Sequence, residues 1–389
     1  MEKGKKWMMT PLFFALAVIL MAGLLAGCGT KNAAPPDTGS AGGSATPPAS
    51  QPKPQPVFGL TGLDAPNKQA MTNKVISVKI ENTPEARPQL GIARADVVYE
   101  SITEGGITRF NCLFQSDIPD EVGPVRSARD SDLSIVPQYG ALFFFSGAND
   151  QVWTRISAST INVMSQDAAS DLYHRVSDRA APHNLYLDLS KAYEQAARMG
   201  FFPTETQVRT LEFGDLAAAD GRAKIKAFNV PFSGADYNVD WTWMDAADAA
   251  GKGAWVRSIK GAPQTDADGA QIAAENVVVL WVDYVPAPPV PGKGQTYNVN
   301  LTGSGMASIY RDGTKIDGTW TSDGVTPPRF ADTNGNPVPL AKGQTWFQVL
   351  PTGTQIVEAP VEVAPPIDNQ SGTETTPPAD SGSGTGTNG

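Results

Sequence analysis

The sequence predicts an α+β fold: a mixed α/β N-terminal domain over residues 57–203, then a mainly β C-terminal domain over residues 229–351. Three observations carry this. Runs rich in Val, Ile and Phe, bounded by Gly, Pro or Asp, recur along both blocks and read as strands. Helix-spaced segments fall among them irregularly in the first block, without a strict strand–helix–strand repeat. In the second block, short strands lie beside turn pairs such as Asp312-Gly313 and Asn334-Gly335.

In the first block, residues 75–80, 95–102, 107–115 and 141–146 read as strands, and Gly105-Gly106 marks a hairpin turn. Asn149 is placed to cap a helix running through Ile156. Residues 189–199 have helical spacing and stop at Gly200. In the second block, residues 277–283, 296–301, 307–311, 316–321 and 345–350 read as strands. Residues 204–228, helix-like at 215–220, are expected to connect the blocks.

The chain opens on Lys3, Lys5 and Lys6, followed by an apolar run that ends in Leu25-Ala26-Gly27-Cys28. A basic head and an apolar stretch make a secretory leader over residues 1–27. Small residues ahead of a Cys resemble the lipobox of bacterial lipoproteins, which implies cleavage before Cys28 and lipidation of its thiol. Two acyl chains bury many methylenes at about 0.8 kcal/mol each, enough to hold the protein on the bilayer without a spanning helix. Residues 28–56 are Pro, Gly, Ser, Ala and Thr with few large apolar side chains, and residues 352–389 end in the same manner. Such segments bury too little surface to fold, so a tether and a disordered tail are expected.

The net charge of -10 makes a nucleic-acid partner a poor match, and any anion site must be local. The two Cys are Cys28 and Cys112. With Cys28 lipidated, Cys112 has no disulfide partner and reads as a buried small hydrophobe. His174 and His183 are the only histidines, which leaves no His/Cys set for a zinc cage. No phosphate-cradling or nucleophile-elbow motif occurs, and no cofactor signature is present. Asp332-Thr333-Asn334-Gly335-Asn336 opens like a calcium loop, but Pro337 and Gly343 occupy the positions that need glycine and a bidentate acid. A hairpin turn fits it better.

Three constellations remain. In the first, Gly123-Pro124-Val125-Arg126-Ser127-Ala128-Arg129-Asp130, Ser127 and Asp130 are spaced like a capping box for a helix that Pro137 stops. Free N–H groups beside Arg126 and Arg129 would then suit a phosphate or carboxylate. The competing reading pairs these arginines with Glu100 or Glu104. In the second, His183, Asn184 and Tyr186 follow Pro182 and can present polar groups from a loop, or simply pack there. In the third, Asp96 and Glu100 share one strand face near Glu104. They offer carboxylates for acid–base work, or salt bridges to Arg109 across the hairpin. Trp241 and Trp243 share a face, which fits sugar stacking but fits core packing better.

Several segments together resemble the YerB-like lipoproteins. They are Gly59-Leu60-Thr61-Gly62-Leu63, Arg87-Pro88, Ala95-Asp96-Val97-Val98-Tyr99-Glu100, Glu104-Gly105-Gly106-Ile107-Thr108-Arg109, the Gly123–Arg129 strap and Pro182-His183-Asn184-Leu185-Tyr186. Tyr310-Arg311-Asp312-Gly313, Gly318-Thr319-Trp320, Asp332 and Gly343-Gln344-Thr345-Trp346 extend the resemblance through the second block. The resemblance implies a lipoprotein of mainly Gram-positive bacteria with two consecutive domains, and it implies no activity.

Two functions are therefore expected to compete. One is an extracytoplasmic lipoprotein that binds an anionic envelope ligand or a protein partner through Arg109, Arg126, Ser127 and Arg129. The other is an enzyme acting on phosphorylated cell-envelope intermediates, with Asp96, Glu100 or His183 as acid or base.

Overall fold

A computed structural model describes residues 55–201, 209–216, 222–246, 251–290 and 294–360. The expected leader, Cys28, the tether up to residue 54, most of residues 215–220 and the tail beyond residue 360 lie outside the described residues. The first block forms α1 (Lys68–Met71), β1 (Ile76–Glu81), β2 (Val97–Ile102), β3 (Thr108–Phe114), β4 (Glu121–Val122), α2 (Asp132–Tyr139), β5 (Leu142–Phe145), α3 (Asp150–Ala158), β6 (Val163–Ser165), β7 (Tyr173–Arg175), β8 (Leu185–Asp188) and α4 (Leu189–Arg198). Then come β9 (Ile225–Val230), β10 (Val239–Met244), β11 (Ala254–Ile259), β12 (Ala262–Pro263), β13 (Ala273–Ala274), β14 (Asn276–Val282), β15 (Tyr284–Val290) and β16 (Gly294–Val299). The chain closes with β17 (Gly303–Arg311), β18 (Thr314–Ser322), β19 (Arg329–Asp332), β20 (Thr345–Pro351) and β21 (Val357–Pro360).

Strands from both blocks share one ten-stranded sheet in the order β19-β18-β17-β14-β20-β2-β3-β1-β5-β6. β20 is the link: it runs parallel to both β14 and β2, with Val97 opposite Thr345. β9 to β13 and β21 make a second, smaller sheet. Alternation along each strand sorts the side chains to two faces. Ile76, Val78 and Ile80 of β1 pack with Phe228, Trp241 and Trp255 of the small sheet. On the opposite face Val97, Tyr99, Phe143 and Phe145 pack with Ile135 and Val136 of α2 and Val152 and Ile156 of α3. The α+β class, strand-rich with a mainly β C-terminal part, follows from this pairing.

Local chemistry explains most boundaries. Gly105 and Gly106 take positive φ (69° and 75°) in the turn that lets β2 double back as β3. Asn149 accepts from the Val152 amide at 2.8 Å, and Asp188 accepts from Lys191 at 2.9 Å, so each caps its helix. The expected capping box at Ser127 and Asp130 is not what forms. Helix α2 begins at Asp132, runs through Pro137 and ends on left-handed Gly140. Asp130 does not start the helix because its carboxylate is taken by Arg155 and by the Val299 amide. Asp132 instead receives the Arg129 amide at 2.7 Å. Pro137 survives in the last turn because it removes only one intrahelical hydrogen bond.

The small sheet contains strands absent from the sequence reading, β9 to β11, and the first begins at Ile225 inside the segment expected to connect the blocks. The ordered body also continues past residue 351. Val357 to Ala359 pair with β9, so the start of the expected tail is a strand.

Candidate functional site

β1 buries a polar stripe, Ser77, Lys79 and Glu81, on the helix-covered face of the large sheet. Its antiparallel partner β3 sets Asn111 opposite Lys79 and Arg109 opposite Glu81. The strap after β4 crosses this stripe. Val125 bridges Ile80, the Arg126 amide donates to the Lys79 carbonyl at 2.9 Å, and the Ser146 amide donates to the Arg126 carbonyl at 3.0 Å. The strap thereby inserts between β1 and the chain leaving β5, which brings Arg126 and Arg129 to Arg109.

The charges are only partly matched. Lys79 is fully buried and meets Asp132 at 2.7 Å. Burial pushes the Lys79 ammonium below its ordinary value, with Asp132 opposing the shift. Arg126 approaches Glu81 at 3.1 Å, and Arg129 approaches Glu104 at 2.7 Å. Arg129 also donates to the carbonyls of Ser127 and Ala128. Burial alone would raise the Glu104 carboxyl, but Arg129 and a backbone hydrogen bond hold it below the usual range. Arg109 has no carboxylate within 4 Å among the described residues; its guanidinium donates to the Ser127 carbonyl at 3.2 Å. Burial, then Arg129 and Arg126, push Arg109 down to about 9, which still leaves it charged at neutral pH. Lys79, Arg109, Arg126 and Arg129 thus face Glu81, Glu104 and Asp132, an excess of one positive charge.

His183 joins the cluster. Its Nδ1 lies 3.0 Å from the Glu81 oxygen that Arg126 also approaches, and Thr83 Oγ1 donates to the same oxygen at 3.1 Å. The second Glu81 oxygen and Arg109 Nε are buried without a partner among the described residues. The cavity beside Arg129 and Glu104 is only about 20 Å³, the size of a single water. Access is therefore from the surface, where Arg126 is 22 % exposed and His183 23 %.

Of the residues expected to meet, Arg109, Arg126, Ser127, Arg129, Glu104 and His183 do. The others serve elsewhere. Asp96 accepts the Gln115 and Ser116 amides, closing the end of β3, and its burial pushes the carboxyl up to about 6. Glu100 shares its strand face but is bound by Arg257 at 2.8 and 3.2 Å, so the two acids form no working pair. Asn184 is buried and ties the loop together through the Val176 and Arg179 carbonyls. Tyr186 lies in β8, packed so close to Gly123 that a Cβ there would come within 2.8 Å of its ring. Arg109 does not pair with acids across the hairpin, and the first N–H groups of α2 close back on Arg129 and Asp130 rather than facing a ligand. Trp241 is core. Lys79, Glu81 and Asp132 escaped the sequence reading; the alternation Ser77, Lys79, Glu81 inside an apolar strand was the available signal.

Comparisons with known proteins agree with this architecture. The family model for the N-terminal domain of a protein of unknown function (DUF3048) matches residues 60–201, and the model for its C-terminal domain matches residues 228–347. A Bacillus subtilis (strain 168) protein named "Putative lipoprotein YerB" is 26% identical over 300 residues, covering 75% of this chain and 85% of that protein. The crystal structure of the YerB protein from Bacillus subtilis has the same fold. Its TM-score is 0.67 at 23% identity, over 78% of this chain and 99% of that one. With both of its domains matched in order, the chain belongs to the YerB-like DUF3048 family.

Proposed function

We propose that the chain is an extracytoplasmic lipoprotein, anchored to the bilayer through acylated Cys28, whose folded body binds an anionic envelope ligand at Arg126. The lipobox and the lipoprotein name carried by its relative support the anchor. One observation supports the ligand: Arg109 is a buried guanidinium with no carboxylate partner among the described residues, flanked by Arg126 and Arg129. A bound anion at the exposed side of Arg126, beside His183, would neutralise the excess charge. The acidic balance of the protein makes nucleic acid a poor match for this site.

Titration of the detergent-solubilised full-length protein with pyrophosphate tests this. A charge-assisted hydrogen bond contributes about 1.5–3 kcal/mol, so Arg126→Gln should weaken binding by about 10- to 100-fold without unfolding the protein. Undetectable pyrophosphate binding by the wild-type protein, or unchanged affinity in the variant, removes the site. Cys28→Ala should abolish incorporation of labelled palmitate into the protein; undiminished incorporation would remove the anchor.

A second reading, an enzyme acting on phosphorylated envelope intermediates, rests on the Glu81–His183 contact. Glu81 orients the imidazole through Nδ1 and leaves Nε2 for proton transfer. Slow hydrolysis of a phosphomonoester that disappears in His183→Gln, with pyrophosphate affinity retained, would select this reading.

A further inference from the structure

A second concave site lies away from the arginines. Edge strand β21 reaches the large sheet at Tyr310 and Lys315, where Glu358 accepts from both, at 2.6 and 2.7 Å. Farther along the same face of β17, Ser304 and Met306 are uncovered, and Met306 is 67% exposed. This face is the floor of a groove of about 1230 Å³, larger than most small-molecule pockets.

The lining has a particular chemistry. Half-buried Trp281 stands beside Met306. Its indole N–H is already used on the Thr354 carbonyl at 2.8 Å, so what remains for a ligand is the apolar ring. Trp320 backs it by donating to the Trp281 carbonyl at 3.3 Å. At Gly305, a Cβ would fall 2.6 Å from Trp320 Nε1 and 2.7 Å from the Trp281 carbonyl, so the bare strand lets Trp320 pack under the floor, on the face opposite Met306. The rim is neutral and polar, with Asn298, Asn300, Thr302 and Gln355. The charges in the groove are internally engaged. Arg155 pairs with Asp130, Lys315 with Asp317 and Glu358, and Asp283 accepts from Thr352. Acids outnumber bases, which disfavours a polyanion.

An apolar ring surface on the floor and neutral donors and acceptors on the rim complement a sugar chain, whose rings carry apolar faces and hydroxyl edges. We propose that this groove binds a neutral oligosaccharide, with sugar rings stacked on Trp281 and Met306 and hydroxyls bonded to the amide and hydroxyl rim. The groove adjoins the arginine cluster at Asp130, the partner of Arg155, and at Asn298, which also lines the small cavity beside Arg129; neither is used by the proposed anion site.

The test is a titration of the full-length protein with β-1,4-linked hexamers of N-acetylglucosamine and of glucose, followed by tryptophan fluorescence and calorimetry. At least one hexamer should bind saturably, and Trp281→Ala should weaken it about tenfold, the scale of one aromatic contact. Because Trp281 also packs against the core, the exposed Met306→Glu is the second variant; it should weaken binding while leaving the fold intact. Arg126→Gln should leave sugar affinity unchanged, which separates this site from the anion site. No saturable binding of either hexamer up to roughly 10 mM, binding indifferent to both groove variants, or capture of a peptide or polyanion in its place would overturn the proposal.

Discussion

Replacing Arg257 by Met tests how the two halves of the chain are joined. Arg257 of β11 and Glu100 of β2 are both fully buried and meet at 2.8 Å between the two sheets. Burial pushes the guanidinium below its ordinary value, and Glu100 opposes that shift. The guanidinium also lies over Trp346, Phe110 and Trp241 at 4.8, 5.5 and 5.6 Å from their ring centroids. Arg257→Met fills most of the volume but leaves the Glu100 carboxylate with only Thr108 and Asn82 as donors among the described residues. An uncompensated buried charge costs about 3–5 kcal/mol, a large part of the roughly 5–15 kcal/mol that holds a typical domain folded. Adding Glu100→Met should recover most of that loss, because two apolar side chains of similar size need no counterion. Urea unfolding followed by tryptophan fluorescence reads both variants, since Trp241 and Trp346 contact the pair. A loss below about 1 kcal/mol in Arg257→Met, or a double variant less stable than the single one, would show that the pair does not carry this energy.

Three further outcomes follow from the same structure. Asp96 titrates at about 6 when folded, against 3.8 ordinarily. Its contribution to stability is therefore fully present below the unfolded value and is lost as pH rises from about 4 to 6, by up to about 3 kcal/mol; urea midpoints of wild type minus Asp96→Asn across that range should show this slope, and a flat difference would refute it. Burial pushes the Cys112 thiol well above its ordinary value, so iodoacetamide at pH 8 should modify it only in the unfolded protein; rapid native labelling would contradict its placement. Asn149→Ala removes the cap on α3 and should cost about 1 kcal/mol in thermal or urea unfolding, with no change refuting the cap.

The elements that were legible in the sequence are those whose own residues specify them. Val78, Phe110 and Phe144 lie on strands read directly from apolar runs, and Asn149 caps the helix its position announces. The small sheet was less legible because β9 carries Lys226 and Asn229 between its apolar residues, and its burial comes from a distant sheet. The same distinction governs the site. Arg126 and Arg129 stand out in a Gly-Pro strap, but their partners are fixed by long-range pairing. Arg129 finds Glu104 across the β2–β3 turn, while Arg126 finds Glu81 only because the strap inserts beside β1. Asp130 shows the limit most clearly. Its spacing from Ser127 matches a local cap, yet Arg155 and the Val299 amide, from elements far along the chain, claim its carboxylate. A local motif is a reliable guide only when no tertiary donor competes for the same oxygen. Asp132 lacked that spacing and took over because Lys79, Asn111 and the Arg129 amide all converge on it. The arginine cluster is thus built around buried Lys79–Asp132 and exposes mainly Arg126 and His183, so a ligand at this site must be recognised from its surface.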